Sequence, residues 1–411
     1  DDEVGVYDED AQGHPMYNFS YVDQIYDGVL NNGVKPFVEL SFMPRKLSST
    51  DKVHAFWYKP YPNPPKDYVK WDDLIYLFAK HLIDRYGIDE VAQWPFEVWN
   101  EPNIDFWTGE PKQSTYLMLY DHTAQALKRV NPRLRVGGPA TAQAAWVALL
   151  IEHCVQNSIP LDFVSTHVYG NDSSQDVFGT AENIPRSEMV ARSVRKVFNQ
   201  VKQSRRPELP IIWSEYNATY SNDVAVTDSA FMGPYLANNI RLCDGMTSSM
   251  SYWSFSDVFE EQGVVKTPFY GGYGLLAEGS VPKAAFNAFA MLHRLGEVRL
   301  NTDSPNVLVT RRQDGSLAVA IWNYSEPDNP APSRVVRLSV EQWPNARFRY
   351  EQLDPDHGSA LKTWEQMGRP SYPTSREYDE LRASATRTLH AEGNSITLPS
   401  QGLALVEVSA Q

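Results

Sequence analysis

Short apolar runs alternate with longer stretches in which apolar positions recur every three or four residues. The short runs are "VKPFVELSF" (34–42), "PFEVWNEPN" (95–103), "RVGGPAT" (135–141), "DFVSTHVYG" (162–170), "LPIIWSEYNAT" (209–219) and "MSYWSFSDVFEE" (250–261). Nearly continuous apolar runs of this length predict strands covered on both faces. The longer stretches predict helices. "WDDLIYLFAKHLIDRYG" (71–87) has apolar residues at Leu74, Ile75, Leu77, Phe78, Leu82 and Ile83 and stops at Gly87. Helices are likewise predicted over 20–33, 114–131, "AAWVALLIEHCVQNS", 186–204, 228–245 and 282–296. Strand followed by helix, six times over, predicts a parallel sheet with helices outside it. Polar groups gather at the C-terminal ends of the strands: Asn100 and Glu101, His167 and Tyr169, Glu215 and Asn217, and Asp257. A (β/α)8 barrel carries its catalytic residues at that end. A doubly wound open sheet is the other arrangement with this alternation, but no glycine-rich phosphate-binding motif opens any of the helices.

Beyond about residue 300 the pattern changes to short alternating strands. "NVLVTRRQDGSLAVAIWNYS" turns at Asp314-Gly315, a hairpin signal, and "SRVVRLSV", "ARFRYEQLD", "NSITLP" and "GLALVEVS" continue it. The expected organisation is an α/β-barrel catalytic domain over 1–298 and an antiparallel β-sandwich accessory domain over 299–411. The segment 363–387 reads as a partly helical insertion in the second domain. A closed barrel of this class has eight strands and only six are visible, so two strands are expected to precede Asp1.

Composition narrows the partners. A formal net charge of −14 disfavours nucleic acid, anionic membranes and highly sulfated polyanions. No stretch is apolar enough to span a membrane, and the acidic start "DDEVGVYDEDAQG" has no signal-peptide pattern. The compartment stays open between a bacterial-type cytoplasm and periplasm. Cys154 and Cys243 fall in helical segments and are read as buried free thiols. No Cys/His cluster has metal-ligand spacing, so neither metal nor cofactor is expected. Aromatic residues make up 12% of the chain, and several, including Trp99, Phe106, Trp107, Tyr169 and Trp253, lie beside polar residues at strand ends. Flat rings beside carboxylates and amides suit a sugar, which has apolar faces and a hydroxyl rim.

Two glutamates share one setting. Glu101 follows "FEVWN" and Glu215 follows "IIWS", each at the C-terminal end of an apolar strand and each flanked by aromatics. With two further strands ahead of the chain, they would stand three strands apart and face each other across the barrel mouth. Paired carboxylates are the working parts of a glycosidase, one giving a proton to the leaving oxygen and the other attacking the anomeric carbon. Their surroundings must split the two acidities. Aromatic neighbours suggest that Glu101 is the group kept protonated.

"WNEPN" (99–103) with Phe106-Trp107, "WSEYN" (213–217), the segment 17–44, "SYWSFSDVFEE" (251–261) and "GGYGLLAEGSVPKAAFNAF" (271–289) resemble glycoside hydrolase family 39, and its β-xylosidases above all. The resemblance implies a retaining double displacement with Glu101 as acid/base and Glu215 as nucleophile, their carboxyls about 5–5.5 Å apart. It implies that Asn100 bonds the sugar 2-hydroxyl, that His167 and Tyr169 lie in the −1 subsite, and that Tyr169 or Tyr216 stands near the nucleophile. It further implies that Glu260 and Glu261 grip the 3- and 4-hydroxyls, with Trp253 and Phe255 on the pocket wall. The substrate expected is a xylo-oligosaccharide or an aryl β-xyloside, and homo-oligomers are expected through the β domain or the 363–387 insertion. Two alternatives stand beside this. An α-L-iduronidase of the same family would need cations for its uronate, and Lys266 is the nearest in sequence to Glu260 and Glu261. A carbohydrate-binding protein without turnover is the alternative of another class.

Overall fold

The computed structural model describes residues 5–259, 261 and 263–410. Six parallel strands form one sheet in sequence order: β1 (Val38–Leu40), β2 (Pro95–Val98), β3 (Arg135–Thr141), β4 (Phe163–Tyr169), β5 (Ile211–Asn217) and β6 (Ser249–Tyr252). Helix α1 (Ser20–Asn31) precedes β1. The crossovers contain α2 (Tyr68–Tyr86), α3 (Lys112–Val130), α4 (Val147–Asn157), α5 (Arg186–Gln203) and α6 (Met232–Cys243), and α7 (Ala284–Leu292) follows β6. This is an α/β barrel-like domain. Among the described residues, β1 pairs only with β2 and β6 only with β5.

Local chemistry explains the limits of these elements. Asp67 caps α2 by accepting from the Val69 and Lys70 amides, and the left-handed Gly87 (φ 82°) ends it where the sequence predicts. In α5 the buried positions Met189, Val190, Ser193, Val194, Val197 and Val201 recur at helical spacing and turn one face to the sheet. The core runs through Trp94, Phe96, Trp99, Trp107, Tyr116 and Tyr120, all fully buried. The predicted strand over 250–261 is shorter in the structure and ends at Tyr252. From Ser254 onward the backbone amides turn to another segment, Ser254 N to Tyr273 O and Asp257 N to Leu276 O, so the chain leaves the sheet as a long loop. Cys154 and Cys243 are buried free thiols on α4 and α6, as expected.

The strands beyond residue 297 are antiparallel and fit a second domain. A six-stranded sheet has the order β7 (Val298–Leu300), β8 (Val307–Arg311), β9 (Leu317–Trp322), β14 (Leu403–Ser409), β11 (Arg347–Leu353) and β12 (Leu389–Glu392). A two-stranded sheet joins β10 (Arg334–Arg337) to β13 (Ser395–Leu398). Alternation divides the larger sheet's side chains between two faces. Ala318, Ala320, Trp322, Leu403 and Leu405 face α6 and α7, while Val319, Ile321, Ala404, Val406 and Val408 pack under Ile396 and Leu398 of β13. The 363–387 segment contributes α8 (Leu361–Gln366) and α9 (Ser375–Ala385), the latter started by a Thr374/Glu377 capping box. Among the described residues, no helix is long and apolar enough to cross a membrane.

Candidate active site

The C-terminal ends of β2, β4 and β5 converge on a cavity of about 960 Å³. Just past β2 the backbone is forced into the left-handed region at two residues that have side chains, Trp99 (φ 71°) and Glu101 (φ 45°). Such strain persists only where the surroundings over-determine it. Here Trp99 is fully buried, its indole Nε1 donates to Phe106 O at 2.8 Å, its ring packs edge-on against Trp107, and Glu101 N donates to Ala140 O at 2.8 Å. The result aims the Glu101 carboxyl into the cavity.

Register irregularities at the same ends of β3, β4 and β5 re-aim side chains there. They bring Ser214 and Glu215 together against His167. One oxygen of Glu101, one of Glu215 and a ring nitrogen of His167 all lie within 4.8 Å of one another. His167 is almost wholly buried, with Nδ1 3.0 Å from Glu101 Oε1 and 3.6 Å from Glu215 Oε2, and Nε2 3.1 Å from Ser214 Oγ. Burial alone would lower its pKa, but the carboxylates of Glu215, Glu101 and Glu97 outweigh that and hold it up to about 10. His167 is therefore an imidazolium that donates to Glu101. The Tyr169 hydroxyl donates a short hydrogen bond to Glu215 Oε1. Burial, with Glu215 and Glu101 beside it, pushes this phenol well above its ordinary range.

Burial pushes Glu215 up to about 8, with Glu101 acting the same way and His167 and Tyr169 opposing. Trp99 and Trp107, which lie near Glu101 in sequence, are fully buried, and the Glu101 carboxyl meets the His167 ring. Held that high, Glu215 keeps a proton near neutral pH. The same three groups could hold a divalent ion only with His167 neutral.

Asn100, Tyr169, Trp253 and Glu261 also line the cavity. Trp253 packs edge-on against Phe259. Burial, and then Glu101, pushes Glu261 up to about 7. His167 lies beneath the two glutamates and supports them from below. Two expected residues are placed elsewhere. Tyr216 is buried at 2% exposure and packs edge-on against Tyr252, because its side chain leaves β5 on the face opposite to Glu215. Phe255 is 69% exposed and outside the cavity lining. Glu260 lies outside the described residues.

The sequence reading missed several groups. Glu39 on β1 lines the cavity and sits in register with Glu97 on β2. Asp172 lines the cavity beyond β4, accepts from Tyr169 N at 2.7 Å, and is pushed up to about 7 by burial. In sequence Glu39 lies inside the apolar run 34–42 and Asp172 lies just past the run 162–170. Arg45, Lys46 and Lys59 also line the cavity, from loops far from Lys266 in sequence.

Comparison with known proteins agrees with this architecture. The sequence model described as "Glycosyl hydrolases family 39" matches residues 1–396. The chain is 37% identical over 427 residues to a β-xylosidase of Geobacillus stearothermophilus, covering 99% of this chain and 84% of that one. It is 35% identical over 392 residues to a β-xylosidase of Caldicellulosiruptor saccharolyticus, covering 92% and 79% respectively. Among solved structures, a monomeric β-xylosidase of Caulobacter crescentus CB15 has a similar fold, with a TM-score of 0.87, 32% identity, and coverage of 100% of this chain and 88% of that one.

Proposed function

This chain belongs to glycosyl hydrolase family 39, and from that premise we propose that it is a retaining, exo-acting β-xylosidase that releases terminal β-D-xylose from xylo-oligosaccharides. The observation that carries the reading is the approach of the Glu101 and Glu215 carboxyl oxygens to within 4.8 Å. Retaining glycosidases hold this pair about 5–5.5 Å apart, whereas inverting enzymes leave room for a water between them.

Glu215 attacks the anomeric carbon as the glycosidic bond breaks, and Glu101 gives its proton to the departing oxygen. An ester then joins the sugar to Glu215. In the second step Glu101 takes a proton from water, the water oxygen bonds the anomeric carbon, and the Glu215 carboxylate leaves. The proton held by the carboxylate pair has to rest on Glu101 when the first bond breaks. The Tyr169 hydroxyl favours that distribution, because its bond to Glu215 stabilises the ionised form there. His167 touches one carboxylate and approaches the other, so it balances the charge of the pair throughout. Asn100 is assigned to the 2-hydroxyl. Glu261, with Glu260, is assigned to the hydroxyls at the far side of the ring, and Trp253 to the wall. Every residue lining the cavity falls within 5–273, which supports a catalytic (β/α)8-type domain over 1–298 and a sandwich-like accessory domain over 299–411.

Incubation with a 2-fluoro-β-D-xyloside bearing an activated leaving group tests the reading by intact mass. The expected result is a gain of one fluoroxylosyl unit that maps to Glu215. No adduct, with hydrolysis of another glycoside intact, would remove the xylose assignment.

One observation favours a second reading. Arg45, Lys46 and Lys59 line the same cavity and could meet a uronate. Glu39, Glu101, Glu215, Glu261 and Asp172 crowd the end where the terminal sugar must sit, which favours a neutral sugar there. The ratio of kcat/KM for an aryl β-xyloside to that for an aryl α-L-iduronide decides between the two.

A further inference from the structure

Behind the cavity wall lies a second cluster of charges that the chemistry above does not use. Lys283, Asp228 and Asp257 have side chains with no solvent exposure at all. Lys283 Nζ lies 2.5 Å from Asp228 Oδ1 and 3.0 Å from Asp257 Oδ2, and donates to Gly272 O at 2.7 Å. The carboxylates are completed from the backbone: Gly271 N donates to Asp228 Oδ2 at 2.7 Å, and Gly274 N donates to Asp257 Oδ1 at 2.6 Å. Burying one cation with two anions is unfavourable unless the geometry is good and the remaining lone pairs are met, and removing one member leaves an uncompensated charge.

The position of this cluster is what gives it a role. It ties together both ends of the loop that leaves β6. Asp257 stands two residues before Phe259 and four before Glu261, and Gly272 and Gly274 flank Tyr273; Phe259, Glu261 and Tyr273 all line the cavity. The approach is so close that a Cβ on Gly272 would lie 2.3 Å from Asp257 Oδ1, and one on Gly274 would lie 2.3 Å from Asp257 N. Lys283 begins a different element, just ahead of α7, and Asp228 lies ahead of α6. The loop is thereby anchored to two outer helices, while Val258 and Val264 on it are exposed. Three buried charges that meet one another and the backbone amides restrict the arrangements open to the loop.

We infer that Lys283, with Asp228 and Asp257, is a positioning residue for the sugar-binding wall, setting Glu261 and Tyr273 at the height of the terminal ring. The inference rests on the reading of the cavity as a glycoside site. It touches neither of the reacting carboxylates, so it acts on how the terminal sugar is held and leaves the bond-breaking groups in place.

A double-mutant cycle tests it. Steady-state kinetics on a nitrophenyl β-xyloside are measured for the wild-type chain, Lys283→Met, Glu261→Gln and the double variant. Lys283→Met and Glu261→Gln should each raise KM about tenfold with kcat changed by less than about threefold, and the double variant should be no worse than either single one. Multiplied effects, or a Lys283→Met variant that loses kcat at unchanged KM, would overturn the inference. Asp257→Asn, which keeps the acceptor for Gly274 N, should give the same split if Lys283→Met fails to fold. Hydrogen exchange supplies a readout independent of substrate. Faster exchange confined to 254–275 in the variant is expected, and a uniform rise across the chain would mark a purely structural role. Wild-type turnover of the xyloside checks the substrate reading separately. If the wild type prefers another glycoside, the cycle is run on that one.

Discussion

The antiparallel sheet and the C-terminal end of the parallel sheet use buried positions in opposite ways. In the antiparallel sheet alternation holds residue by residue, with Ala318, Ala320 and Trp322 on one side and Val319 and Ile321 on the other. Its buried carboxylate, Asp354, is met by Gln352 Nε2 at 2.6 Å, Asp356 N at 2.8 Å and His357 Nδ1 at 2.9 Å. The end of the parallel sheet breaks these rules. It holds Trp99 and Glu101 in the left-handed region and crowds carboxylates around one imidazolium. A chain tolerates such conflicts where function requires them and keeps local rules elsewhere. The first region is built for stability and the second for chemistry.

If that division is right, damage to one region should leave the property of the other intact. Glu215→Ala should lower kcat by about 10⁴-fold or more, with Tm unchanged or raised by a few degrees because a crowded carboxylate is gone. Glu101→Ala should cost about 10²–10⁴-fold with a poor leaving group and much less in the glycosylation step with a dinitrophenyl one, which departs without a proton. Steady-state rates and thermal melts on the same samples measure both. A variant that loses rate only in proportion to its loss of fold would break the comparison.

Leu405→Ala, on the antiparallel sheet, should do the reverse. Leu405 is 1% exposed, and truncation of a core leucine costs about 2–5 kcal/mol. Urea unfolding should show that loss while kcat stays near the wild-type value below the new transition.

The pH profile sharpens the comparison at the site itself. The pair of carboxylates works with one proton, and Glu215 is held up to about 8, so the basic limb of kcat/KM should fall near pH 8. His167 pulls that value down. His167→Asn should therefore move the basic limb upward, and a downward shift would refute the charge balance drawn here.

The smallest effect expected is on stability against pH. Glu215 is raised from 4.5 to about 8 and His167 from 6.5 to about 10. The native state thus binds more protons than the unfolded one between those limits. The stability linked to Glu215 is complete below 4.5 and lost as pH rises through about 8, and that linked to His167 is complete below 6.5 and lost through about 10. Tm should fall from about pH 5 to about pH 10, and the part of the fall above about pH 8 should disappear in His167→Asn.

What the sequence determined by itself was whatever depends on spacing along the chain. Helical periodicity in α2 and α5, the glycine stop at Gly87, the change to short alternating strands after about residue 300, and the placing of Glu101 and Glu215 at strand ends are all local patterns. So is the pairing of His167 with Tyr169, two apart on one strand and turned to the same side. Tertiary structure decided what depends on contact between distant segments. The same alternation that joins His167 to Tyr169 turns Tyr216 away from the cavity once Glu215 faces it. The side chain that meets the Glu101 carboxyl is likewise set by the fold: it is His167, 66 residues away. Glu39, Asp172 and the cations of the cavity rim arrive from separate segments, and Lys283 meets Asp228 and Asp257 from other segments again. Periodicity is written residue by residue, whereas an electrostatic environment exists only after the chain has folded and excluded water from it.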